Sequence, residues 1–316
     1  MKRRGLNNKF MLSKNIPNLD NIVLAGLDFF QKNKPPRLSL TKGSTRFVVG
    51  SVNAYNTGRM LFHGQSAFLA DEGSFKDALK TYRHLIKQGT IKEAIIISAS
   101  GEKDSIWEIK AAQKAGLKTS LLTCNAESSG AKIADQVFCF RKIAEPYSYN
   151  FSTYLGMILS STKEDPKAIK DFISRLNVPS SFKKQSFFTF ILPDKYKAIV
   201  DMLNVKNDEL FGPYASLRAY PEGAARHAKF ICKSPKEMIV SLGKNDYFGE
   251  KNQRWEINLP QKSNFALVLA LAYYLAGLIQ KQKPPYFKRG LPEYCLKSGP
   301  KPYGQTKPFA IIVPGN

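Results

Sequence analysis

The sequence predicts an α/β protein built from two doubly wound domains, each with a parallel sheet. In the first half, short apolar strands alternate with helices of about 10–15 residues, which is the pattern of β-α-β units. A second, weaker set of strands follows residue 185. The chain has 316 residues, which is enough for two ordinary domains.

The first half contains four strand-like segments separated by helical segments. Continuous apolar runs of this kind are typical of parallel strands that are covered by helices on both faces. The predicted strands are 46–50 (RFVVG), 93–98 (EAIIIS), 118–123 (KTSLLT) and the end of 133–140 (IADQVFCF). The predicted helices begin near residue 55 and cover 75–88, 105–115 and 151–161, and a polar connection comes next, over 161–171.

The second half repeats the alternation less clearly. Residues 186–192, 237–242 and 255–259 have the pattern of strands, and the long segment 194–230 is expected to be helical in large part. The apolar run 265–279 has 15 residues without a charge. Because a bilayer span needs roughly 20 apolar residues, we expect this run to form a helix buried inside the protein. No membrane partner is expected.

These segments predict four regions along the chain. A basic N-terminal arm and helix cover residues 1–40, a first domain covers 41–175, a second and divergent domain covers 185–300, and a tail reaches 316. The start of the chain, MKRRGLNNKFML, lacks the apolar stretch of a secretory signal. A cytoplasmic protein is therefore expected.

The net charge of +23 favours anionic partners through long-range attraction. Residues 1–45 hold nine Lys and Arg against two acids, and residues 281–307 hold seven against one. A solvated basic surface is the plainer explanation of this excess, and no nucleic-acid-binding motif is visible. We expect at most weak electrostatic binding of nucleic acid, whereas a phosphate-bearing small molecule would benefit from the same field.

The four cysteines indicate neither a disulfide framework nor a zinc site. They are scattered over residues 124–295 without a C-x-x-C pair. Reduced thiols, no metal and no cofactor are expected.

The segment 95–105 (IIISASGEKDS) is the strongest candidate for a binding site. A buried strand runs directly into Ser98-Ala99-Ser100-Gly101, and a helix is expected to start near Asp104 or Ser105. Backbone N–H groups at a helix N-terminus, together with two hydroxyls, suit a phosphate. The alternative is that these side chains only cap the helix.

The surroundings of this loop carry a family resemblance. Five motifs occur in order over about 50 residues: Ser98-x-Ser100-Gly101, Lys114-Ala-Gly116, Thr123-Cys124-Asn125, Ser128-Ser129 and Ala134-Asp135. Their order and spacing resemble the sugar isomerase (SIS) domain, a flavodoxin-like or Rossmann-like fold. The resemblance implies that Ser98 and Ser100 bind a sugar phosphate. A threonine of the family pattern falls at Lys103, which can add a positive charge instead.

Upstream of this loop, the resemblance is partial. Residues 55–58 (YNTG) match the start of a family helix, but the usual G-T-S before it is replaced by Val52-Asn53-Ala54. Asn53 can still donate a hydrogen bond. The predicted phosphate-binding set is therefore Ser98, Ser100, Gly101, Lys103, Ser105 and Asn53.

The second half resembles the isomerase portion of glucosamine-6-phosphate synthases, which is built from two SIS domains. Residues 219–225 (AYPEGAA) resemble a helix of its second domain, and residues 292–298 (PEYCLKS) resemble its terminal motif with the leucine displaced by one position. The resemblance implies that Lys297 opens the sugar ring. A solvated tail lysine is the alternative.

Isomerisation also needs a base that moves a proton between C1 and C2 of the sugar. The family glutamate for this step falls at Lys229, and the segment 243–249 lacks the family histidine. Glu222 and His227 are the substitute candidates, five residues apart, if the helix is irregular or a second subunit contributes. The alternative for His227 is a helix-capping or solvated role.

These patterns support three hypotheses. The first is a phosphosugar or aminosugar-phosphate isomerase or deglycase, the second a non-catalytic phosphosugar sensor, and the third a basic scaffold that holds nucleic acid. The resemblance also implies a homodimer, because relatives build sites at subunit interfaces.

Overall fold

A computed structural model describes residues 16–40 and 44–316. Residues 1–15 of the predicted basic arm therefore lie outside the described residues. The chain forms two compact units, each named here by its main sheet. The described residues of the five-stranded unit lie within Phe29–Ile143, Ser152–Lys163 and Gly315–Asn316, and those of the four-stranded unit lie within Met1–Asp28, Ala144–Phe151 and Glu164–Pro314.

Helices and strands alternate through both units. In chain order the elements are α1 (Leu19–Lys32), β1 (Thr45–Val49), α2 (Asn53–Leu61), β2 (Ala67–Ala70), α3 (Phe75–Thr81), α4 (Arg83–Lys87), β3 (Ile91–Ile97), α5 (Asp104–Lys114), β4 (Lys118–Thr123), β5 (Gln136–Cys139), β6 (Glu145–Pro146), α6 (Phe151–Thr162), α7 (Pro166–Ser174), β7 (Phe187–Leu192), α8 (Lys197–Leu210), β8 (Ser216–Pro221), α9 (Glu222–Ala228), β9 (Glu237–Ser241), β10 (Arg254–Glu256), α10 (Phe265–Gln282), α11 (Tyr286–Glu293) and β11 (Ile312–Val313). Short 3₁₀ turns add to these, and a π-helical turn covers Tyr294–Ser298.

The five-stranded sheet is parallel throughout, as the sequence predicts, with the strand order β2-β1-β3-β4-β5. Helices cover both faces. Val48 of β1 lies against Gly58 of α2, where an added Cβ would come within 2.7 Å of the valine side chain. Phe47 and Val49 point to the opposite face and pack with Ile109 of α5. The alternation along β1 therefore fixes which helix lies on which face.

The four-stranded sheet has the order β10-β9-β7-β8 and is also parallel. The segment 194–230 is helical in large part, as the sequence predicts, since it contains α8 and α9, but the prediction leaves out strand β8 between them. Its buried residues Leu217 and Ala219 alternate with more exposed ones, and their N–H groups donate to the side chains of Asn207 and Asn204 of α8, at 2.7 Å and 2.9 Å. Because β8 is short and alternates buried with more exposed residues, it lacks the continuous apolar run that marks β7 and β9 in the sequence.

Two helical segments also differ from the sequence prediction. The predicted helix 75–88 is broken at Tyr82 into α3 and α4. Helix α7 forms where a polar connection is expected, because Asp165 caps it by accepting a hydrogen bond from the Lys167 N–H at 3.0 Å, and Pro166 occupies its first turn.

Helix α10 is a long, largely buried helix of the four-stranded unit. Among the described residues it alone is long and apolar enough to cross a membrane by composition, and 78% of that stretch is buried inside the protein. Its N-terminus is bound by the Glu164 carboxylate, which accepts hydrogen bonds from the Asn264 and Ala266 N–H groups at 2.7 Å and 2.8 Å. A carboxylate at this end also meets the positive pole of the helix dipole.

Two strand-to-helix turns of the five-stranded unit share the same strained backbone. Val52, before α2, has φ 46° and ψ −101°, and Lys103, before α5, has φ 59° and ψ −121°. Glycine adopts this region without steric cost, whereas a β-branched residue such as Val52 is an outlier there. Both turns lie at the carboxyl ends of strands.

The five-stranded unit also buries a carboxyl group. Glu108 of α5 is 2% exposed, and its Oε1 has no hydrogen-bond partner among the described residues. Burial raises the pKa of Glu108 to about 8, with further increases from the nearby charges of Asp104, Glu72 and Asp71. The carboxyl group is therefore largely neutral at pH 7.

We predict that Val52→Gly stabilises the protein. Relief of the strained backbone contributes about 1–3 kcal/mol, and the added flexibility of glycine in the unfolded chain offsets roughly 0.5–1 kcal/mol of this. Val52 is 52% exposed, so little packing is lost. Chemical denaturation measures the difference, with Ser51→Gly as the control, because Ser51 has an ordinary negative φ. A destabilised Val52→Gly protein would contradict the strain assignment.

We also predict a pH-dependent difference between the wild type and Glu108→Gln. The folded-state pKa of Glu108, about 8, lies above the ordinary 4.5, so the folded state holds the extra proton between these values. Wild-type stability is then complete below about pH 4.5 and falls as the pH rises to about 8, by up to about 1.4 kcal/mol per unit. Glutamine, which cannot ionise, removes this slope.

Denaturation curves at several pH values measure the effect, with Glu127→Gln on the exposed surface as the control. If the free energies of unfolding of the wild type and Glu108→Gln change with pH in the same way, Glu108 is not a buried neutral carboxyl group.

Candidate functional site

The strand order of the five-stranded sheet creates a crevice between β1 and β3. The connection after β1 leads to β2 on one side, and the connection after β3 leads to β4 on the other. Ligands of open α/β sheets bind at such a switch point, outside the carboxyl ends of the strands. The two turns that border the crevice carry Asn53 and the Ser98–Ser105 loop, which are the predicted phosphate ligands.

The Ser98–Ser105 loop presents several hydrogen-bond donors. The Ser98 Oγ accepts from the Gly101 N–H at 3.2 Å, and the Ser100 Oγ accepts from the Glu102 N–H at 3.3 Å. Both hydroxyl protons have no acceptor among the described residues. The N–H groups of Ser100, Asp104 and Ser105 likewise have no acceptor in the described part of the chain. An anion placed here would receive hydroxyl and backbone donors together.

Ser105 takes part through its backbone only. Its hydroxyl donates to the Glu102 carbonyl oxygen at 2.9 Å, and the residue is 2% exposed. Lys103 lies at the exposed tip of the turn. Partial burial lowers the pKa of Lys103, and the neighbouring Asp104 carboxylate raises it by less.

Gly101 holds the loop against the segment that follows β4. With φ 65°, it approaches Ser128 so closely that an added Cβ would lie 2.1 Å from the Ser128 Oγ. Its carbonyl oxygen accepts from the Gly130 N–H at 2.8 Å. The Glu102 Oε1 accepts from the Ser129 N–H at 2.9 Å. These contacts fix the backbone of the loop before any ligand arrives.

Asn53 lies at the start of α2, across the crevice. It is 7% exposed, its carbonyl oxygen accepts from the Thr57 hydroxyl at 2.8 Å, and its Oδ1 has no partner among the described residues. A buried amide without a partner is costly. A ligand that exchanges hydrogen bonds with this amide would remove that cost.

Glu222 and His227, the predicted proton-transfer residues, belong to the four-stranded unit. Both are exposed on α9, and neither side chain makes a hydrogen bond or ion pair within the described residues. The helix is regular between them. Residues five positions apart on a regular helix diverge by about 140° around its axis. One copy of α9 therefore does not bring the two side chains together.

Lys297 lies in the π-helical turn after α11. Its side chain is 66% exposed, and its Nζ lies 3.4 Å from the Glu293 Oε1. Among the described residues, no hydrogen bond or ion pair links it to Glu222 or His227. The predicted ring-opening lysine is therefore solvated, in agreement with the alternative of an ordinary tail lysine, and its catalytic role stays a prediction.

Sequence reasoning missed that an ion pair of α8 is buried. Lys206 of α8 is fully buried; its Nζ donates to the Ser148 carbonyl oxygen at 2.6 Å and to the Glu209 carboxylate, and it lies over the ring of Tyr273. Burial raises the pKa of Glu209, and the Lys206 charge opposes that shift. The i, i+3 spacing of the pair looks like an ordinary surface helix pair, so the sequence gives no signal of its burial.

The chemistry available at the crevice is anion binding. The site combines the donors of the Ser98–Ser105 loop with the Asn53 amide. In the described parts of the chain, no group of three or more His, Cys, Asp or Glu side chains is arranged to hold a metal ion.

Comparisons with known proteins bear on the fold. No protein-family profile and no curated protein sequence matches this chain. Several solved structures are similar. Tagatose-6-phosphate ketose/aldose isomerase from Escherichia coli has a TM-score of 0.54 at 13% identity, and the match covers 85% of this chain and 90% of that one.

Two further structures match over similar lengths. Glucosamine-6-phosphate deaminase from Thermotoga maritima has a TM-score of 0.52 at 13% identity, with 86% of this chain and 96% of that chain covered. The C-terminal domain of glucosamine-fructose-6-phosphate aminotransferase from Francisella tularensis has a TM-score of 0.50 at 13% identity, with 89% and 96% covered. The chain therefore has the α/β fold of these sugar-phosphate proteins, which is the SIS-type fold that the sequence resemblance predicts.

Proposed function

We propose that this protein binds a phosphorylated sugar, with the phosphate over the Ser98–Ser105 loop. The observation that carries the proposal is the cluster of unused donors at the β1–β3 crevice: two serine hydroxyls and three backbone N–H groups at one turn. A phosphate dianion accepts several such hydrogen bonds at once. The fixed loop backbone lowers the ordering cost of binding.

Three further observations support a sugar phosphate as the ligand. The buried Asn53 amide has unused hydrogen-bonding capacity that a sugar hydroxyl satisfies. The net charge of +23 attracts an anionic ligand. The proteins of similar structure include a tagatose-6-phosphate isomerase and a glucosamine-6-phosphate deaminase.

We also infer that the four-stranded unit is a second SIS-type domain. Its order β8-β7-β9-β10 repeats the order β2-β1-β3-β4 of the first sheet. The two proposed domains, 41–175 and 185–300, contain the five strands and the four strands, respectively. This repeat supports the resemblance to the two-domain isomerase portion of glucosamine-6-phosphate synthases.

The reaction we propose is the interconversion of an aldose phosphate and a ketose phosphate. In this reaction Lys297 protonates the ring oxygen while the bond between that oxygen and C1 breaks and the C1 hydroxyl loses its proton to water, which gives the open-chain carbonyl form. A base then moves a proton between C1 and C2 through an enediol. Glu222 or His227 is the proposed base, since Lys229 occupies the family position.

A second candidate is a phosphosugar sensor without turnover. The exposure of Lys297, Glu222 and His227 favours it, because catalytic acids and bases generally have partners that tune their pKa values. Both candidates share the phosphate site, and they differ only in whether the bound sugar is converted. In both, the protein is expected to act in the cytoplasm.

We predict that Ser100→Ala weakens binding of a hexose or hexosamine 6-phosphate. Loss of one hydrogen bond to a charged group costs about 1–2 kcal/mol, or roughly a 5- to 30-fold rise in Kd. Isothermal titration calorimetry measures the change. Ser66→Ala, at the amino end of β2 in the same unit, is the matched control. Equal affinities for the wild type and Ser100→Ala would count against the site.

We further predict that the wild type interconverts a hexose 6-phosphate and that Lys297→Ala abolishes this turnover while binding through Ser98 and Ser100 remains. Proton NMR of the bound sugar follows the interconversion, and calorimetry follows binding. Lys301→Ala, in the same exposed tail, is the control. Tight binding by the wild type without interconversion would replace the isomerase proposal with the sensor.

A further inference from the structure

Glu108 lies about one helical turn behind the proposed phosphate site. It belongs to α5, the helix whose N-terminus and preceding loop carry the unused donors of the crevice. Glu108 is four residues beyond Asp104, which corresponds to about 6 Å along the helix axis. Because helical side chains lean towards the N-terminus of their helix, the Glu108 side chain is directed back towards the Ser98–Ser105 loop.

The burial of Glu108 indicates that its carboxyl group is protonated. The residue is 2% exposed, and its Oε1 has no hydrogen-bond partner among the described residues. Burial penalises the charged form of a carboxyl group much more than the neutral form. Glu108 is the fifth residue of α5, so the helix dipole, whose effect falls off within the first turn, does little to offset this penalty.

The charges that act on Glu108 are all negative. Asp104 is on the same helix, and Asp71 and Glu72 are in the turn between β2 and α3. Asp71 is ionised at neutral pH, because hydrogen bonds from the Ser74 hydroxyl and from neighbouring N–H groups lower its pKa. Burial, with a further contribution from these three acids, raises the pKa of Glu108 to about 8. Glu108 therefore adds its own negative charge only at alkaline pH.

The position of these acids shows where the Glu108 carboxyl group lies. Helix α5 follows β3, whereas Asp71 and Glu72 follow β2, and β1 lies between β2 and β3 in the sheet. A side chain of α5 that interacts with the turn after β2 therefore lies near the carboxyl end of β1. This strand end borders the crevice, so the Glu108 carboxyl group lies beneath the place where the ligand is proposed to bind.

We propose that Glu108 couples the binding of the phosphorylated sugar to a proton, so that the site binds the phosphate dianion when Glu108 is neutral and repels it when Glu108 is ionised. This coupling rests on the phosphate site proposed above. A dianion at the N-terminus of α5 and a carboxylate one turn behind it repel each other through the protein, where charges are screened less than in water. Glu108 acts through its charge and does not have to touch the ligand.

Linkage adds a second consequence. If ionised Glu108 weakens binding, bound phosphate in turn favours the neutral form of Glu108. Binding then takes up a proton at any pH at which Glu108 is partly ionised in the free protein. A carboxyl group with a structural role alone changes the stability of the protein with pH but not the affinity of the folded protein for its ligand.

Lys103 also affects anion binding at alkaline pH. It lies at the tip of the same loop, and partial burial lowers its pKa. Loss of its positive charge weakens anion binding, but it does so equally in the wild type and in Glu108→Gln. The difference between these two proteins therefore isolates the effect of Glu108.

Isothermal titration calorimetry with glucose 6-phosphate and fructose 6-phosphate between pH 7 and 9 tests the coupling. The second pKa of such phosphate groups is about 6, so the ligands stay dianionic in this range. Glutamine has a similar shape and stays neutral, so Glu108→Gln should have the wild-type Kd at pH 7. We expect the wild-type Kd to rise up to about tenfold more than that of Glu108→Gln, because the neutral fraction of a group with a pKa of about 8 falls about tenfold.

Proton uptake tests the coupling on the wild type alone, whether or not the variant folds. Titrations at pH 8 in buffers of different ionisation enthalpy should show an uptake of up to about half a proton per bound ligand. Glu108→Gln should lose this uptake. Asp77→Asn, which removes an exposed charge of α3, is the control and should behave as the wild type.

The possible failures are distinguishable. Wild-type binding without proton uptake at pH 8 overturns the coupling, and so does an equal rise of Kd with pH in the wild type and Glu108→Gln. The phosphate site itself stands in both cases. If neither sugar phosphate binds at any pH, the phosphate site and the coupling fall together.

Discussion

The parallel direction of the strands is the constraint on which the candidate site depends. Because every strand of a parallel sheet runs the same way, each connection crosses back from one end of the sheet to the other, and all carboxyl ends lie along one edge. The order β2-β1-β3-β4-β5 then sends the connections after β1 and β3 in opposite directions. The crevice between them is a product of topology, and its chemistry is set by which residues occupy the two turns.

Those turns combine rigidity with unused donors. Gly101 is held against Ser128, and the Glu102 carboxylate is bonded to the Ser129 N–H, so the loop is fixed by the segment after β4. Strain at Val52 and Lys103 accompanies this fixed geometry. A binding site with a preset backbone loses little conformational entropy when the ligand arrives, while its unsatisfied polar groups and strained residues lower the stability of the empty protein.

The sequence predicts the features that depend on local pattern. Buried runs reveal β1, β3, β4, β7 and β9, and the S-x-S-G loop is recognisable because strand, turn and helix start are contiguous. The features it misses depend on distant contacts. Strand β8 is recognisable only from its hydrogen bonds to the side chains of Asn204 and Asn207. Helix α7 depends on a cap and a proline within a polar stretch. The burial of Glu108 and Lys206 depends on the helices that pack over them. Local periodicity carries no information about such partners.

The two sheets differ by one strand, and as a result β10 is an edge strand. In the five-stranded sheet β5 pairs with the outer side of β4, whereas among the described residues no strand pairs with the outer side of β10. An open edge beside an apolar groove is a site of unwanted pairing unless it is covered or has a defined partner. Helix α7 borders this edge but leaves a space between them, and it carries unpaired charges of both signs. The absence of a fifth strand therefore leaves β10 with an edge that the described part of the chain does not pair.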